Sequence, residues 1–285
     1  MRPITNILFP VDFSPSCIAM ASYVKRAAVM FEAKVSLVHV FDPASYNGFE
    51  LYVRRSREIA KEHQEIARSR LDSFLKDEFP SSQYARILVA GEAGAQIAEV
   101  ARKGFDLIIM PTHAGIFRRM LIGSTAAKVL NDADCPVSTS RHAETIAPRP
   151  LEHREWLCAI GLSEDSERVL RFAHQAAAQA HANLRIIHAI QATRHNLPIQ
   201  VDLEEKFEES QEVRQLIADL QQRVGSQAPV QVVVGPIREA LLEAVRRFDA
   251  DVLVIGRSPQ SGTQGRMRDL TYIMVRESPY PVMSV

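Results

Sequence analysis

The chain has 285 residues, 46% hydrophobic and 24% charged, which is room for two cores of ordinary size and too much apolar content for a disordered chain. Its 34 basic residues face 34 acidic ones, so no chain-wide field exists to hold a phosphate backbone or an anionic membrane surface. The opening MRPITNILFPVD lacks the features of a signal peptide, and no run approaches the ~20 apolar residues of a membrane span, so a globular, soluble, cytoplasmic protein is expected, with no nucleic-acid and no membrane partner.

In chain order, residues 6–12, 34–41, 85–90, 106–110 and 136–140 read as strands: they are rich in Val, Ile and Leu and nearly continuous, as strands covered on both faces are. Between the first two, Cys17, Met20, Ala21, Val24, Ala28 and Phe31 follow helical spacing, and Ser14-Pro15 supplies an N-cap followed by Pro at the first helical position. Residues 51–78 read as a long, charged, solvent-facing helix whose Glu and Arg or Lys pairs stand about one turn apart. Strands alternating with helices point to an α/β fold with a doubly wound parallel sheet, whose ligands sit beyond the carboxyl ends of the strands.

The second half repeats the first. NILFPVDFS at 6–14 answers WLCAIGLS at 156–163, and KVSLVHVF at 34–41 answers NLRIIHAI at 183–190, both at a spacing of 149 residues. FDLIIMPTH at 105–113 answers ADVLVIGRS at 250–258, and DCPV at 134–137 answers PYPV at 279–282, both at a spacing of 145. A whole domain is therefore duplicated, giving domains over 1–144 and 153–285. The Pro- and charge-rich stretch 142–155 reads as the linker, and 202–224 as the counterpart of the long charged helix.

Candidate chemistry gathers at the strand ends. Asp12 ends the first strand, where a carboxylate can accept hydrogen bonds from an adenine amino group or a ribose hydroxyl; the alternative is that it helps Ser14 cap the next helix. After Met110, Gly115 and Gly123 permit close backbone approach, and Gly123-Ser124-Thr125 stands just before a helix whose free N–H groups can bind phosphate, with Arg118 and Arg119 as counter-charge. The alternative there is a glycine turn with Ser124 as the N-cap. His39 and His188 occupy equivalent strand positions and read as repeated structural histidines, since no second His or Cys stands at metal-ligand spacing beside either. Cys17, Cys135 and Cys158 are isolated and read as reduced small hydrophobes. Walker A, G-x-G-x-x-G and G-x-S-x-G motifs are absent.

Taken together, ILFPVDFS, the HV ending the second strand, FDLIIMPTH and IGSTAAKVLNDADCPV resemble the universal stress protein family, and the repeat extends the resemblance over both halves. It implies two tandem five-strand domains of the adenine nucleotide alpha hydrolase-like fold. The family's ATP-binding members carry G-x2-G-x9-G-[ST], an Asp on the first strand and a backbone contact on the second. On that pattern Asp12, Val40, Met110, Gly123 and Ser124 correspond, with His113, Gly115 and Thr125 adjoining. Pro111 and Ala114 stand where the first two glycines belong, the loop is one residue short, and Gly115 is the substitute offered for the lost glycine. In the second half Gly161 replaces Asp12 and Arg268-Asp269 replace Gly123-Ser124, so a degenerate site is expected even though Gly256, Gly262 and Gly265 remain. The resemblance implies ATP or a related adenine nucleotide as ligand, Mg only alongside it, pairing through fifth strands, here those near 136–140 and 281–285 with each other, a second surface left for a homodimer, and a regulatory protein partner. Three functions stay open at this point: a nucleotide-responsive stress module, a slow ATP hydrolase or nucleotidyl transferase, and an interaction protein that binds no nucleotide.

Overall fold

A computed structural model describes residues 3–42, 53–112, 122–140, 154–191, 199–257 and 269–285, with the side chains of 53–60, 199–209 and 269 excepted. The chain divides into two compact units, Arg2–Leu151 and Glu152–Val285. His113, Ala114, Gly115, Arg118, Arg119, Gly262, Gly265, Arg268 and most of the 142–155 linker lie outside the described residues.

In the first unit the elements run β1 (Asn6–Pro10), α1 (Pro15–Met30), β2 (Lys34–Phe41), α2 (Val53–Ser73), β3 (Ala85–Ala90), α3 (Ala93–Ala101), β4 (Leu107–Pro111), α4 (Ser124–Asp132) and β5 (Val137–Ser140). All neighbours are parallel, in the order β3-β2-β1-β4-β5. The order reverses between β1 and β4, and such a switch point opens a crevice at the carboxyl ends of the two strands. Ile7, Leu8 and Phe9 are wholly buried, as are Leu107 and Ile108, in keeping with strands covered on both faces.

In the second unit β6 (Glu155–Ala159), α5 (Ser166–Gln179), β7 (Asn183–Ile190), α6 (Ile199–Val224), β8 (Val230–Val234), α7 (Ile237–Arg247), β9 (Val252–Ile255), α8 (Asp269–Glu277) and β10 (Val282–Ser284) repeat the plan. The order is β10-β9-β6-β7-β8, again parallel, with the switch between β6 and β9.

The duplication reaches atomic detail. Asp106 Oδ2 accepts from the Thr5 amide at 2.9 Å, the Thr5 hydroxyl at 2.8 Å and the Asn6 amide at 2.9 Å, tying the start of β4 to the start of β1. Asp251 does the same for β9 and β6, accepting from the Arg154 and Glu155 amides at 2.7 and 2.9 Å. Left-handed backbone recurs at matching places as well, Phe13 (φ 64°) with Leu162 (φ 52°) and Glu32 (φ 50°) with His181 (φ 53°).

Several bounds differ from the sequence reading, each for a local reason. The first strand stops at Pro10, because Phe13 turns left-handed and sends the chain into α1, so Asp12 sits in the turn beyond the strand. The long helix ends at Ser73 because Leu75 is left-handed (φ 49°), a conformation that terminates an α-helix. Pro111 belongs to β4, in register with Ser140. Among the described residues no helix is long and apolar enough to cross a membrane.

Candidate functional site

The carboxyl ends of β1, β2 and β4 and the first turns of α1, α3 and α4 enclose a cavity of ≈ 480 Å³ in the first unit. Asp12, Val40, Met110, Gly123, Ser124 and Thr125 all line it, so six of the eight residues singled out from the sequence come together at the switch point. The other two, His113 and Gly115, are not among the described residues.

Asp12 is held from one side. Its Oδ1 accepts from the Ser14 amide at 3.0 Å and from the Cys17 thiol at 3.1 Å, while Ser14 Oγ accepts from the Cys17 amide at 3.3 Å. Ser14 is thus the cap of α1, and Asp12 organises the turn that leads into it. Burial, and then the neighbouring Asp12 charge, push the Cys17 thiol up to about 12, so it stays protonated and remains a donor to the carboxylate. Among the described residues, both hydrogen bonds to Asp12 fall on Oδ1, and the residue is exposed on the cavity wall.

Across the cavity, α4 begins at Ser124. Gly123, with extended φ −61° and ψ 148°, is its N-cap and makes no side-chain capping bond, so Ser124 is the first helical residue rather than the cap that the alternative reading assigned to it. The Gly123 amide donates to the Thr112 carbonyl at 2.8 Å, which fixes the approach to the helix. A helix start without a side-chain cap keeps N–H groups available to an anion. Thr112 is 2% exposed, lines the same cavity, and its Oγ1 has no hydrogen-bond partner among the described residues. A buried hydroxyl in that condition costs free energy unless something else bonds to it.

The remaining walls are apolar or aromatic. Met110 is buried on β4, and Val40 lies two residues beyond Val38, the last β2 residue in register with β1. Ala93 and Ile97 present α3, and Gly94 lets that helix approach α4 so closely that a Cβ there would meet Lys128 Cβ at 2.6 Å. Glu92 caps α3, accepting from the Gly94 and Ala95 amides, both at 2.9 Å. His39 Nδ1 donates to the Val11 carbonyl at 2.7 Å, and its ring lies 4.2 Å from that of Phe13, over which the Arg70 guanidinium sits at 4.5 Å. Burial pushes the imidazole below its ordinary value of 6.5, against the pull of the Val11 carbonyl.

Sequence reasoning passed over Cys17 and Thr112. Cys17 carried a usable signal, since it stands three residues after the cap Ser14 and so returns to the side of the turn where Asp12 lies. Thr112 carried none beyond its place after the strand.

The second unit has a smaller cavity at the corresponding place, ≈ 170 Å³, lined by Gly161, Ser166, Val169, His188, Ile255 and Arg257 among others. His188 Nδ1 bonds the Ile160 carbonyl at 2.8 Å, the counterpart of the contact between His39 and Val11. Both histidines hold strand ends, and among the described residues no group of three His, Cys, Asp or Glu side chains could hold a metal ion.

Comparison with known proteins places this arrangement. The model of the Universal stress protein family matches residues 3–141 and again 153–285. A universal stress protein of Methanocaldococcus jannaschii is 27% identical over 135 residues, covering 46% of this chain and 79% of its own length. Universal stress protein A homolog 1 of Coxiella burnetii is 26% identical over 119 residues, covering 39% of this chain and 81% of its own length. The solved structure of a universal stress protein from Archaeoglobus fulgidus superposes with a TM-score of 0.71 at 18% identity, over 99% of this chain and 98% of that one, so the likeness there is one of fold. With a family match in each half and the adenine nucleotide alpha hydrolase-like fold in both, the chain belongs to the universal stress protein family as a tandem two-domain member.

Proposed function

We propose that the first unit is an adenine-nucleotide-binding module, with ATP or a close relative as ligand, and that occupancy regulates contacts with a protein partner or a second copy of the chain in the cytoplasm. The observation that carries this is the cavity at the β1/β4 switch point, with a carboxylate at one end and the helix start without a side-chain cap at the other. Its ≈ 480 Å³ falls within the roughly 300–1,000 Å³ usual for small-molecule sites.

The roles follow from the donors and acceptors present. Asp12 accepts from ribose hydroxyls or the adenine amino group, and Cys17 and Ser14 hold it in place from behind. Met110 and Val40 flank the base, and the first amides of α4 with the Ser124 and Thr125 hydroxyls receive phosphate oxygens. The buried Thr112 hydroxyl gains the partner that it lacks among the described residues. Mg ions enter only as counter-charge to the bound phosphates. This set of groups binds and orients, and the function it supports is that of a nucleotide-responsive sensor.

Equilibrium binding of ATP to the full chain tests it, with Asp12→Ala and Gly123→Asp beside wild type. About one nucleotide per chain is expected for wild type, with both variants weakened at least about tenfold, the worth of one hydrogen bond to a charged group. Absence of binding by wild type would sink the proposal and leave an interaction protein.

A further inference from the structure

Residues 149 positions apart correspond in the two units, and at two such positions the second unit has changed together. Asp12 becomes Gly161, and Cys17 becomes Ser166. In the first unit the Cys17 thiol donates to Asp12 Oδ1. In the second the donor survives as a serine hydroxyl and its carboxylate has gone. Ser166 is 5% exposed and lines the second cavity, and its Oγ has no hydrogen-bond partner among the described residues. A Cβ built on Gly161 meets nothing within 4 Å, so the space of the missing side chain is open.

The surroundings suit an anion with a short apolar tail. Arg257, 3% exposed, stands on the wall where the first unit has Thr112. Its amide donates to the Val285 carbonyl at 2.6 Å, and its carbonyl accepts from Arg168 at 3.0 Å. Among the described residues one acidic side chain lines the cavity, Asp165, which faces Arg168 at 3.9 Å. Val169, Leu241 and Ile255 make the rest of the wall apolar, and ≈ 170 Å³ is well below the roughly 300 Å³ at which sites for drug-sized ligands begin.

We infer that the second unit holds a site for a small aliphatic carboxylate, whose oxygens take the place of the absent aspartate side chain and accept from Ser166. The ligand supplies the acceptor that the duplication lost, and its chain lies against Val169 and Leu241. The site is separate from the nucleotide cavity and does not depend on that cavity being occupied.

Butyrate is the probe, titrated against the full chain by thermal shift and calorimetry, with inorganic phosphate as comparator. A saturable rise in Tm is expected with butyrate and not with phosphate. Ser166→Ala should weaken butyrate at least about tenfold by removing the donor. Gly161→Asp should abolish the response by installing a carboxylate in the same space, and should itself raise the Tm of the ligand-free chain. The inference is overturned if wild type shows no saturable response, if phosphate matches butyrate, or if both variants respond as wild type does. A cavity that holds water only gives the first of these results.

Discussion

The pair His39 and Val11 shows how one side chain couples the site to pH. Nδ1 donates to a carbonyl at the end of β1, the ring packs on Phe13, and burial disfavours the imidazolium. The folded pKa lies below the ordinary 6.5, so over the interval between the two values the unfolded chain binds more protons than the folded one. Stability from this group is therefore complete above pH 6.5 and is lost as pH falls from there through the folded value. Acids whose pKa values are lowered by hydrogen-bonded ion pairs, such as Glu167 and Glu277, add their own loss only below about pH 4.5. Urea midpoints measured at pH 7.5, 6.5 and 5.5 should fall with acidification for wild type and fall less for His39→Gln. Equal slopes for the two proteins would show that the imidazole is not the titrating group.

At the scale of elements, the approach of α3 to α4 sets one wall of the first unit's cavity. Gly94 is what permits it, since a methyl group there would press on Lys128 Cβ at 2.6 Å, close to the backbone of α4 and far from any flexible end. Glycine to alanine within a helix ordinarily gains up to ~1 kcal/mol from backbone entropy. Overpacking of this kind costs typically ~1–3 kcal/mol, so the clash should win. Gly94→Ala is expected to lower chemical-denaturation stability by about 1 kcal/mol and to reduce ATP affinity by displacing Ala93 and Ile97. A Gly94→Ala protein of unchanged or greater stability would show that the helices slide apart without cost.

Elements of this fold were legible where hydrophobic pattern decides them. Strands such as Lys34–Phe41 and Ala85–Ala90 matched their apolar runs, and Ser14-Pro15 marked the start of α1. Bounds set by single left-handed residues were not legible, because Phe13 and Leu75 adopt a conformation that their own chemistry does not favour and that tertiary packing imposes. The candidate site was legible through residue types with a role at strand ends, Asp12 and Gly123-Ser124. Cys17 and Thr112 escaped because thiols and hydroxyls of this kind are mostly structural, and only burial without a partner, or contact with a carboxylate, sets them apart.

For the whole molecule, two domains descended from one do not imply two equal sites. The first unit keeps Asp12 and a cavity of ≈ 480 Å³, whereas the second has Gly161 and ≈ 170 Å³. The smaller space lies below the roughly 300 Å³ at which small-molecule sites begin, and restoring one carboxylate fills part of it rather than enlarging it. Equilibrium dialysis should therefore return about one ATP per chain for wild type, and still about one for Gly161→Asp. The second unit differs from the first in volume and in the charge that Arg257 brings, so a single substitution is not expected to make it bind ATP. A stoichiometry near two for either protein would mean that the second cavity opens on ligand binding, and the two halves would then be equivalent sites rather than divergent ones.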